Sequence, residues 1–346
     1  MADRVIFQVE PLRAFTRDVF RKAGLPDEQA SATADVLIWA DLRGHPSHGA
    51  WRIALYTSWI ANGVIDASAR PKVTLRKGAV ARIDGGGAIG PAAMTPAVDV
   101  AIAQAREHAA AWVLVQDHTH AGAIGYYAER VAAAGMAAIA MSALRPMMAY
   151  HGTRTAAVST NPIAIAMPGG LLLDMSTSTS SRGKIAVAKA TGKPLPAGMA
   201  LDREGWPTVD PDAAAILTPM AGPKGAGLSL MIECLTSVAL GNPLIATALA
   251  DPKLKEHVRQ NSLIVAMDLS VLGNAGLGGD LAALPREIKA QPRAEGFAEI
   301  LMPGERGARE YERRLRDGIS IPIKTWQQIA DTAAKFGVNP PGEAKQ

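Results

Sequence analysis

A single cysteine, Cys234, stands in 346 residues. One thiol makes neither a disulfide framework nor a cysteine-built metal site, and its place in the apolar run LSLMIECLTSVAL reads as that of a buried small side chain. Long hydrophobic runs are missing too. No stretch reaches the ~18 apolar residues that cross a bilayer, and the opening MADRVIFQVEPLRAF has neither the apolar core nor the small-residue cleavage site of a signal peptide. The expectation is a soluble cytoplasmic protein with no membrane partner. Charge of one sign is nowhere concentrated. Lys and Arg number 36 against 32 Asp and Glu, and even the densest stretch, ERGAREYERRLRD, alternates sign as a solvated helix face does. That pattern argues against nucleic acid as a partner, and a net charge of +4 suits a small anionic substrate. No internal repeat is present.

What is present is apolar and periodic. Hydrophobic residues make up 48% of the chain, enough for a substantial core. In PLRAFTRDVFRKAGL, Leu12, Phe15 and Val19 share a face and Gly24 closes the helix; DEQASATADVLIWADLRG is the next helix, with Asp27 as N-cap and Gly44 as stop. A third helix is predicted from Ser47 to Gly63. From about residue 72 short strands alternate with Ala-rich helices. VTLR, VARID, WVLVQD, MAAIAMSA, AIAMP, GLLLDMS and LIVAMDLS read as strands, TGKPLPAGMALDREGWPTVDP as a turn-rich surface excursion, and TWQQIADTAAKFG as a closing helix. The pattern predicts an α/β protein. Its N-terminal helical domain covers residues 1–70 and is joined by the C-terminal helix at 320–340; an α/β domain covers 71–319. Only the end, NPPGEAKQ, reads as disordered.

Five segments carry candidate chemistry. The first is ARIDGGGAIGP, where Gly85, Gly87 and Gly90 have the G-x-G-x-x-G spacing of a dinucleotide turn. A strand precedes it, a helix succeeds it, and the next strand ends in an acid, Asp117, so the formal context is complete. The second is RGHPSHGAWR. With Ser47 as N-cap, His48 and Arg52 project from one helix face, an acid/base and an anion clamp about 6 Å apart. That suits the C2 oxygen and carboxylate of a 2-hydroxy or 2-oxo acid, and the helix N-terminus disfavours imidazolium. The plainer alternative is a cap with two solvated side chains.

The third segment, HTHAGAIGYY, puts His118 and His120 just beyond a strand, where open α/β sheets place ligands. No third metal ligand stands at a recognisable spacing, so no metal is expected. His108 and His257 read as surface residues. The fourth, DMSTSTSSRGK, offers small hydroxyls to phosphate or ribose oxygens, or is simply a polar loop. The fifth, AGPKGAG, combines glycines, Lys224 and a helix start that suit a pyrophosphate, without the spacing of a P-loop.

In this order the clusters resemble the malate/L-lactate dehydrogenase family of type-2 NAD(P)-dependent oxidoreductases. The resemblance runs from DLRGHPSHGAWR through HAGAIGYYAERVAAAG, HGTRTAAVSTNPIAIAMP, LDMSTSTSSRGKI and DREGWPTVDP to PKGAGLSLMIE and PGERGAREYERRLRDGISIP. It implies a non-Rossmann, mixed-sheet NAD(P)-binding domain of the L-sulfolactate dehydrogenase type beside an N-terminal helical domain. It also implies a homodimer with active sites near the subunit boundary. The implied acid/base is His48, assisted by Ser47, with His120 sharing the claim, and Arg52 anchors the substrate carboxylate. Cofactor contacts fall on Asp174, Met175, Ser176, Thr177 and Ser178, on Lys224 and Gly225, and on Pro303, Gly304 and Glu305, with NAD or NADP as cofactor. The implied reaction moves a hydride to or from C2 of a small 2-hydroxy or 2-oxo carboxylate. Reduction of a cyclic imino acid is the alternative, and a non-catalytic binding protein on the same fold is the other.

There are departures from the family pattern. The usual HFG turn reads HAG at His120 to Gly122, and the glycine pair before the lysine reads AGP. Lys184 stands where imino-acid reductases carry a relay aspartate. The resemblance also moves the dinucleotide off Gly85–Gly90, which is then expected to be a tight connection with Pro91 preset for the next helix.

Overall fold

The computed structural model describes residues 4–251, 253–254 and 258–343; His257 and the last three residues of the tail lie outside them. The chain opens with strand β1 (Arg4–Phe7) and helices α1 (Val9–Lys22) and α2 (Asp27–Leu42). α1 forms because Leu12, Phe15 and Val19 recur at helical spacing and bury together, while Arg21 and Lys22 complement its last turn. α2 is buried on most of its surface. Its Leu37, Ile38 and Leu42 join a core with α1, and its Val36, Trp39 and Ala40 join the core beneath the main sheet. It therefore sits between two packed layers and sets where the chain enters the next segment.

That next segment is not one helix. A single 3-10 turn, Pro46–His48, precedes α3 (Arg52–Ala61), and the expected helix from Ser47 to Gly63 is broken between them. The cause is Asp41. Its Oδ2 accepts the Ala50 N–H at 2.7 Å, a donor that a continuous helix would give to the carbonyl four residues back. A Cβ at Gly49 would overlap that carboxylate, so only glycine lets the chain pass. Ser47 consequently caps no α-helix.

The rest of the chain supplies β2 (Lys72–Lys77), β3 (Val80–Asp84), α4 (Gly90–His108), β4 (Ala110–His118), α5 (Gly125–Ala133), β5 (Ala137–Ala143), β6 (Met148–Ala149), β7 (Ala156–Val158), β8 (Ile163–Ala166) and β9 (Leu172–Met175). Then come α6 (Arg182–Thr191), β10 (Ala200–Leu201), β11 (Pro207–Thr208), β12 (Ile216–Leu217), α7 (Pro223–Glu233), α8 (Leu244–Ala250), β13 (Gln260–Met267), α9 (Leu277–Lys289), α10 (Glu305–Asp317), β14 (Ile319–Pro322) and α11 (Ile323–Lys335). Seven strands make the main sheet in the order β2-β3-β4-β13-β5-β8-β9. Only β3 and β4 run parallel; every other neighbouring pair is antiparallel. The sheet is mixed, and no doubly wound nucleotide fold is present among the described residues.

Alternation along the strands sorts the sheet into two faces. Ala138, Ala140, Val113, Val115 and Ile264 meet the small residues of α4 and α5, which lets those helices approach closely. On the other face Leu114, Met141, Ile163 and Leu263 lie under Leu228 and Ile232 of α7. A smaller sheet, β11-β10-β12-β6-β7, includes the turn-rich excursion. The chain ends meet: β1 pairs with β14, and Trp326 and Ile329 of α11 complete the core around Phe7 and Phe15, with Phe7 and Trp326 rings 4.1 Å apart. No helix among the described residues is long and apolar enough to cross a membrane.

Candidate active site

Three elements bring the site together. The 3-10 turn carries Ser47 and His48, the first turn of α3 carries Arg52, and the loop after β4 carries His120. The His48 and His120 rings stack with centroids 5.5 Å apart and planes 27° from parallel. Ser47 Oγ lies 3.0 Å from His48 Nδ1. Arg52 donates from Nε to the Ser47 carbonyl at 2.9 Å, and its guanidinium rests over the Trp51 ring at 4.8 Å. The expected trio of Ser47, His48 and Arg52 is therefore together, held by a turn rather than by helical spacing.

Behind His120 stands Tyr56, fully buried on α3, with its hydroxyl 2.6 Å from His120 Nδ1. The Gly122 N–H reaches the same nitrogen at 3.1 Å. A backbone N–H can only donate, so in the neutral ring Nδ1 is the acceptor and the hydrogen sits on Nε2. Gly122 holds φ at +79°, and a Cβ there would overlap Val36 of α2. This closeness explains the glycine of the HAG turn. Among the described residues, neither Nε2 of the two stacked rings nor the η nitrogens of Arg52 have a protein hydrogen-bond partner.

The electrostatics favour two neutral imidazoles. Burial, then the charges of Arg52 and His45, bring His48 down to about 3. Burial and Arg52, with His48 and His118 beyond them, hold His120 well below the usual histidine value. The expected direction is present, but desolvation leads it and no helix dipole is needed. Tyr56 is pushed up to about 12 by burial, against Arg52. His118 belongs elsewhere. Its Nδ1 donates to the Thr119 carbonyl at 2.6 Å, its Nε2 accepts from Ser262 at 2.9 Å, and the ring is fully buried.

The segments expected to hold a cofactor fall in two places. Thr177 and Gly225 touch: Met220 N–H donates to the Thr177 carbonyl at 2.9 Å, and a Cβ on Gly225 would crowd the Thr177 and Met220 carbonyls. Gly225 is thus a packing glycine. The first N–H groups of α7 are already spent, Lys224 on Ala221 and Gly225 on Met220, so an anion here would rest on the exposed Lys224 side chain instead of the helix start. The hydroxyls fit a polar ligand better. Thr177 Oγ1 and Ser180 Oγ are buried with no partner, while Ser176 and Ser178 bond to each other at 3.0 Å. Met175 packs against the cluster under α7, on the same face of the sheet.

Asp174 turns the other way. Its carboxylate accepts the Gly125 N–H at 3.1 Å at the start of α5, and burial raises it to about 6. Pro303 accepts from the Leu172 N–H at 3.2 Å, which ties the late loop to β9. Gly304, at φ +82°, precedes α10, and its carbonyl accepts from Arg43 at 3.0 Å. Glu305 is held near 2 by the Lys289 ammonium and the Met302 N–H, with Arg309 adding to them. It is already paired on the protein. Cys234, expected inside, is half-buried.

The Gly85–Gly90 loop does join parallel strands through a helix, yet the protein itself fills it. Gly85 and Gly87 donate to the Gln116 and Asp117 carbonyls at 2.8 and 2.7 Å, and Gly86 donates to Asp84 at 3.0 Å. Gly87 lies against the Arg259 guanidinium, which pairs with Asp117 at 3.2 Å. Gly90 presses on the His120 carbonyl and Ala121 Cα. These glycines serve the end of β4 and the histidine beyond it.

Sequence reading missed three residues that shape the site. Tyr56 comes one helical turn after Arg52, a visible spacing. Asp41 acts across nine residues of chain, and Gly183 of α6, where a Cβ would press on Ser47, acts across far more; neither has a local signature.

Comparison with known proteins decides the family. The model for malate/L-lactate dehydrogenase matches residues 7–330. The chain belongs to that family. It is 34% identical to an L-sulfolactate dehydrogenase of Methanocaldococcus jannaschii over 97% of this chain and 98% of the relative. Among solved structures it is similar to a putative malate/lactate dehydrogenase from E. coli, with 30% identity, TM-score 0.88 and coverage of 96% and 95%. A Δ1-piperideine-2-carboxylate reductase from Pseudomonas syringae shares 27% identity at TM-score 0.84, covering 94% and 99%. The family's dehydrogenases are oxidoreductases that use nicotinamide cofactors.

Proposed function

We propose that this protein is a cytoplasmic, homodimeric enzyme that moves a hydride between NAD or NADP and C2 of a small 2-hydroxy or 2-oxo carboxylate. The observation that carries the reading is that a guanidinium braced through Nε, with its η nitrogens free of protein hydrogen bonds, shares a site with two stacked, neutral imidazoles. Arg52 binds the substrate carboxylate through its free η nitrogens. His48 gives the proton to the C2 oxygen in reduction and takes it in oxidation, oriented by Ser47. His120 presents Nε2–H to the same oxygen, its tautomer fixed by Gly122 and Tyr56. The nicotinamide, when bound, supplies or accepts the hydride. The buried, unpartnered hydroxyls of Thr177 and Ser180, with exposed Lys224 beside Gly225 in sequence, fit a polar phosphate- or ribose-bearing group.

An anionic substrate also changes the histidines. Its charge offsets the Arg52 field that helps to depress both rings, so the bound complex holds a proton on imidazole more readily than the free enzyme does. The relatives named for malate, sulfolactate and ureidoglycolate support a carboxylate substrate. Likeness to the piperideine-carboxylate reductase supports a cyclic imino acid as the second reading, while Lys184 in place of a relay aspartate favours the first.

The test mixes NADH or NADPH with oxaloacetate, pyruvate, sulfopyruvate and Δ1-piperideine-2-carboxylate and monitors nicotinamide absorbance. Faster turnover of an oxo acid is expected. Preference for the cyclic imine selects the second reading, and cofactor binding without turnover of any compound selects a binding protein. His48→Ala is expected to lower kcat by roughly 10² or more. Loss confined to His120→Ala would transfer the acid/base role to that residue.

A further inference from the structure

The end of β4 leaves the regular ladder just before the histidine loop. Opposite Asn261 of β13, β4 carries two residues, Gln116 and Asp117, where the pairing shifts between Gln260–His118 and Ser262–Val115. Asp117 takes φ +50°, which a non-glycine residue seldom holds, and its N–H goes to the Asn261 side-chain oxygen at 3.0 Å. The extra residue changes which way the chain faces. In an unbroken strand His118 would share the face of Leu114, under α7; the bulge gives it the face of Val113 and Val115, toward α4 and α5.

Four polar side chains meet there, all buried in an otherwise apolar layer. His118 Nδ1 lies 2.6 Å from the Thr119 carbonyl and Nε2 2.9 Å from Ser262 Oγ; Ser262 Oγ is 3.0 Å from Ser142 Oγ, which is 3.1 Å from Gln260 Oε1. Gln260 Oε1 also accepts the Ala121 N–H at 3.2 Å, a backbone donor that fixes the orientation of the amide. Burial, with Arg259 beyond it and against the Thr119 carbonyl, brings His118 down to about 4, so the ring is neutral. The four contacts from Thr119 to Gln260 would use four hydrogens, and a neutral imidazole with two hydroxyls brings three. Nδ1 must donate, because a carbonyl only accepts. Ser262 then donates to Nε2, and Ser142 has one hydrogen for two neighbours. The chain is complete where it touches the histidine loop and slack in its middle.

Its two ends are the peptide groups on either side of His120. The Thr119 carbonyl accepts from His118, and the Thr119 N–H donates to the Ala88 carbonyl at 2.9 Å; the Ala121 N–H donates to Gln260, and the Ala121 carbonyl accepts from the Tyr127 hydroxyl at 2.5 Å. Both neighbours of His120 have thus committed all their backbone polar groups. Polar groups buried in such a layer cost free energy unless they are bonded, and these spend their bonds on that one loop. We infer that His118 and Gln260 are positioning residues for His120: they clamp its flanking peptides and, through Ala121, keep the Gly122 N–H on Nδ1, so that Nε2–H faces the substrate oxygen. The inference rests on the hydroxy-acid reading for what Nε2–H meets, and adds the residues that keep it there.

The test reads kcat, KM and the ring nitrogens of His120, the last by nitrogen NMR of full-length protein labelled in its histidine rings, with the His120 signals assigned by their loss in His120→Ala. Gln260→Leu takes away the oxygen bonded to Ala121, and His118→Leu the donor to Thr119, with little change in bulk. Each is expected to lower kcat about tenfold while KM for the oxo acid and NADH affinity stay within about twofold. Their His120 nitrogens should move from the Nε2–H pattern toward a mixture of tautomers, and Gln260→Glu, which keeps an oxygen for Ala121, should restore most of both. In His120→Ala neither leucine should cost further kcat. If a leucine variant does not fold, Ser262→Ala withdraws only the donor to His118 Nε2 and should shift the ring signals the same way. Full kcat with unmoved ring signals in the folded variants overturns the inference, and so does a loss that persists undiminished in His120→Ala, which marks a structural role. A protein that turns over no oxo acid overturns the hydroxy-acid reading alone, and the ring nitrogens still decide this one.

Discussion

The Tyr56 hydroxyl lies 2.6 Å from Nδ1 of His120, the ring that stacks on His48. Tyr56 is fully buried, and burial keeps its hydroxyl protonated across the working pH range. It is a donor that never leaves, and its partner is the nitrogen that decides what Nε2 can do. Tyr56 therefore acts through His120 and positions it.

Tyr56→Phe is expected to lower kcat about tenfold with KM for the oxo acid nearly unchanged, the scale of one lost hydrogen bond to a working group. A purely structural role would give the same loss in any background. The discriminating measurement is a double-mutant cycle: in His120→Ala, Tyr56→Phe should cost no further kcat. Additive losses would remove Tyr56 from the site.

Arg52→Lys should raise KM for an oxo acid roughly tenfold, because a point charge replaces a planar fork. An uncharged carbonyl substrate should keep its KM. The structure adds a second effect. Arg52 Nε braces the Ser47 carbonyl at 2.9 Å, and lysine cannot reproduce that bond, so kcat falls modestly for both substrates. Equal changes in KM on charged and uncharged substrates would mean that Arg52 only braces the turn.

Asp41 gives a pH signature in stability. Burial raises its carboxyl to about 7 from an ordinary value of 3.8, against the Ala50 N–H and Arg314. The folded state thus holds its proton more tightly than the unfolded chain. The resulting stabilisation is full below about pH 4, drains away as pH rises to about 7, and is absent above. Asp41→Asn keeps an oxygen for Ala50 and carries no charge. Its thermal midpoint relative to the parent should climb from pH 4 to pH 7 and then level off, by several degrees in all. A difference that shrinks over that range would contradict a buried, reluctantly ionised Asp41.

Legibility depends on the range of the forces involved. Strands and helices with local periodicity, such as that of Leu12, Phe15 and Val19, are readable because their neighbours in sequence are their neighbours in space. The helix expected from Ser47 is interrupted because Asp41, on the preceding helix, takes one donor out of it. The stacking of His48 on His120 joins residues far apart in the chain and has no local trace; family resemblance, not spacing, puts both in one site. Asp174 and Glu305 stand out as cofactor residues by resemblance, and in the fold their carboxylates also accept from Gly125 and pair with Lys289 and Arg309. Sequence identifies such residues as special without saying which neighbour claims them.

The G-x-G-x-x-G loop yields the last prediction. Its strand–helix–strand context is real, and that alone would make it a dinucleotide turn. Its donors decide otherwise, since Gly85, Gly86 and Gly87 all bond to protein oxygens and Arg259 fills the space beside Gly87. Gly87→Ala meets both that guanidinium and a φ of +83°, so it should cost stability and leave cofactor affinity alone. Gly90→Ala pushes on the His120 carbonyl and should lower kcat with the cofactor still bound. Lys224→Ala should weaken NADH or NADPH by about 1–3 kcal/mol through a lost charge-assisted contact. Titrating both cofactors into the three folded variants separates these effects. A Gly87→Ala protein that folds but binds neither cofactor, beside a Lys224→Ala protein that binds normally, would make ARIDGGGAIGP the pyrophosphate site and reverse the assignment.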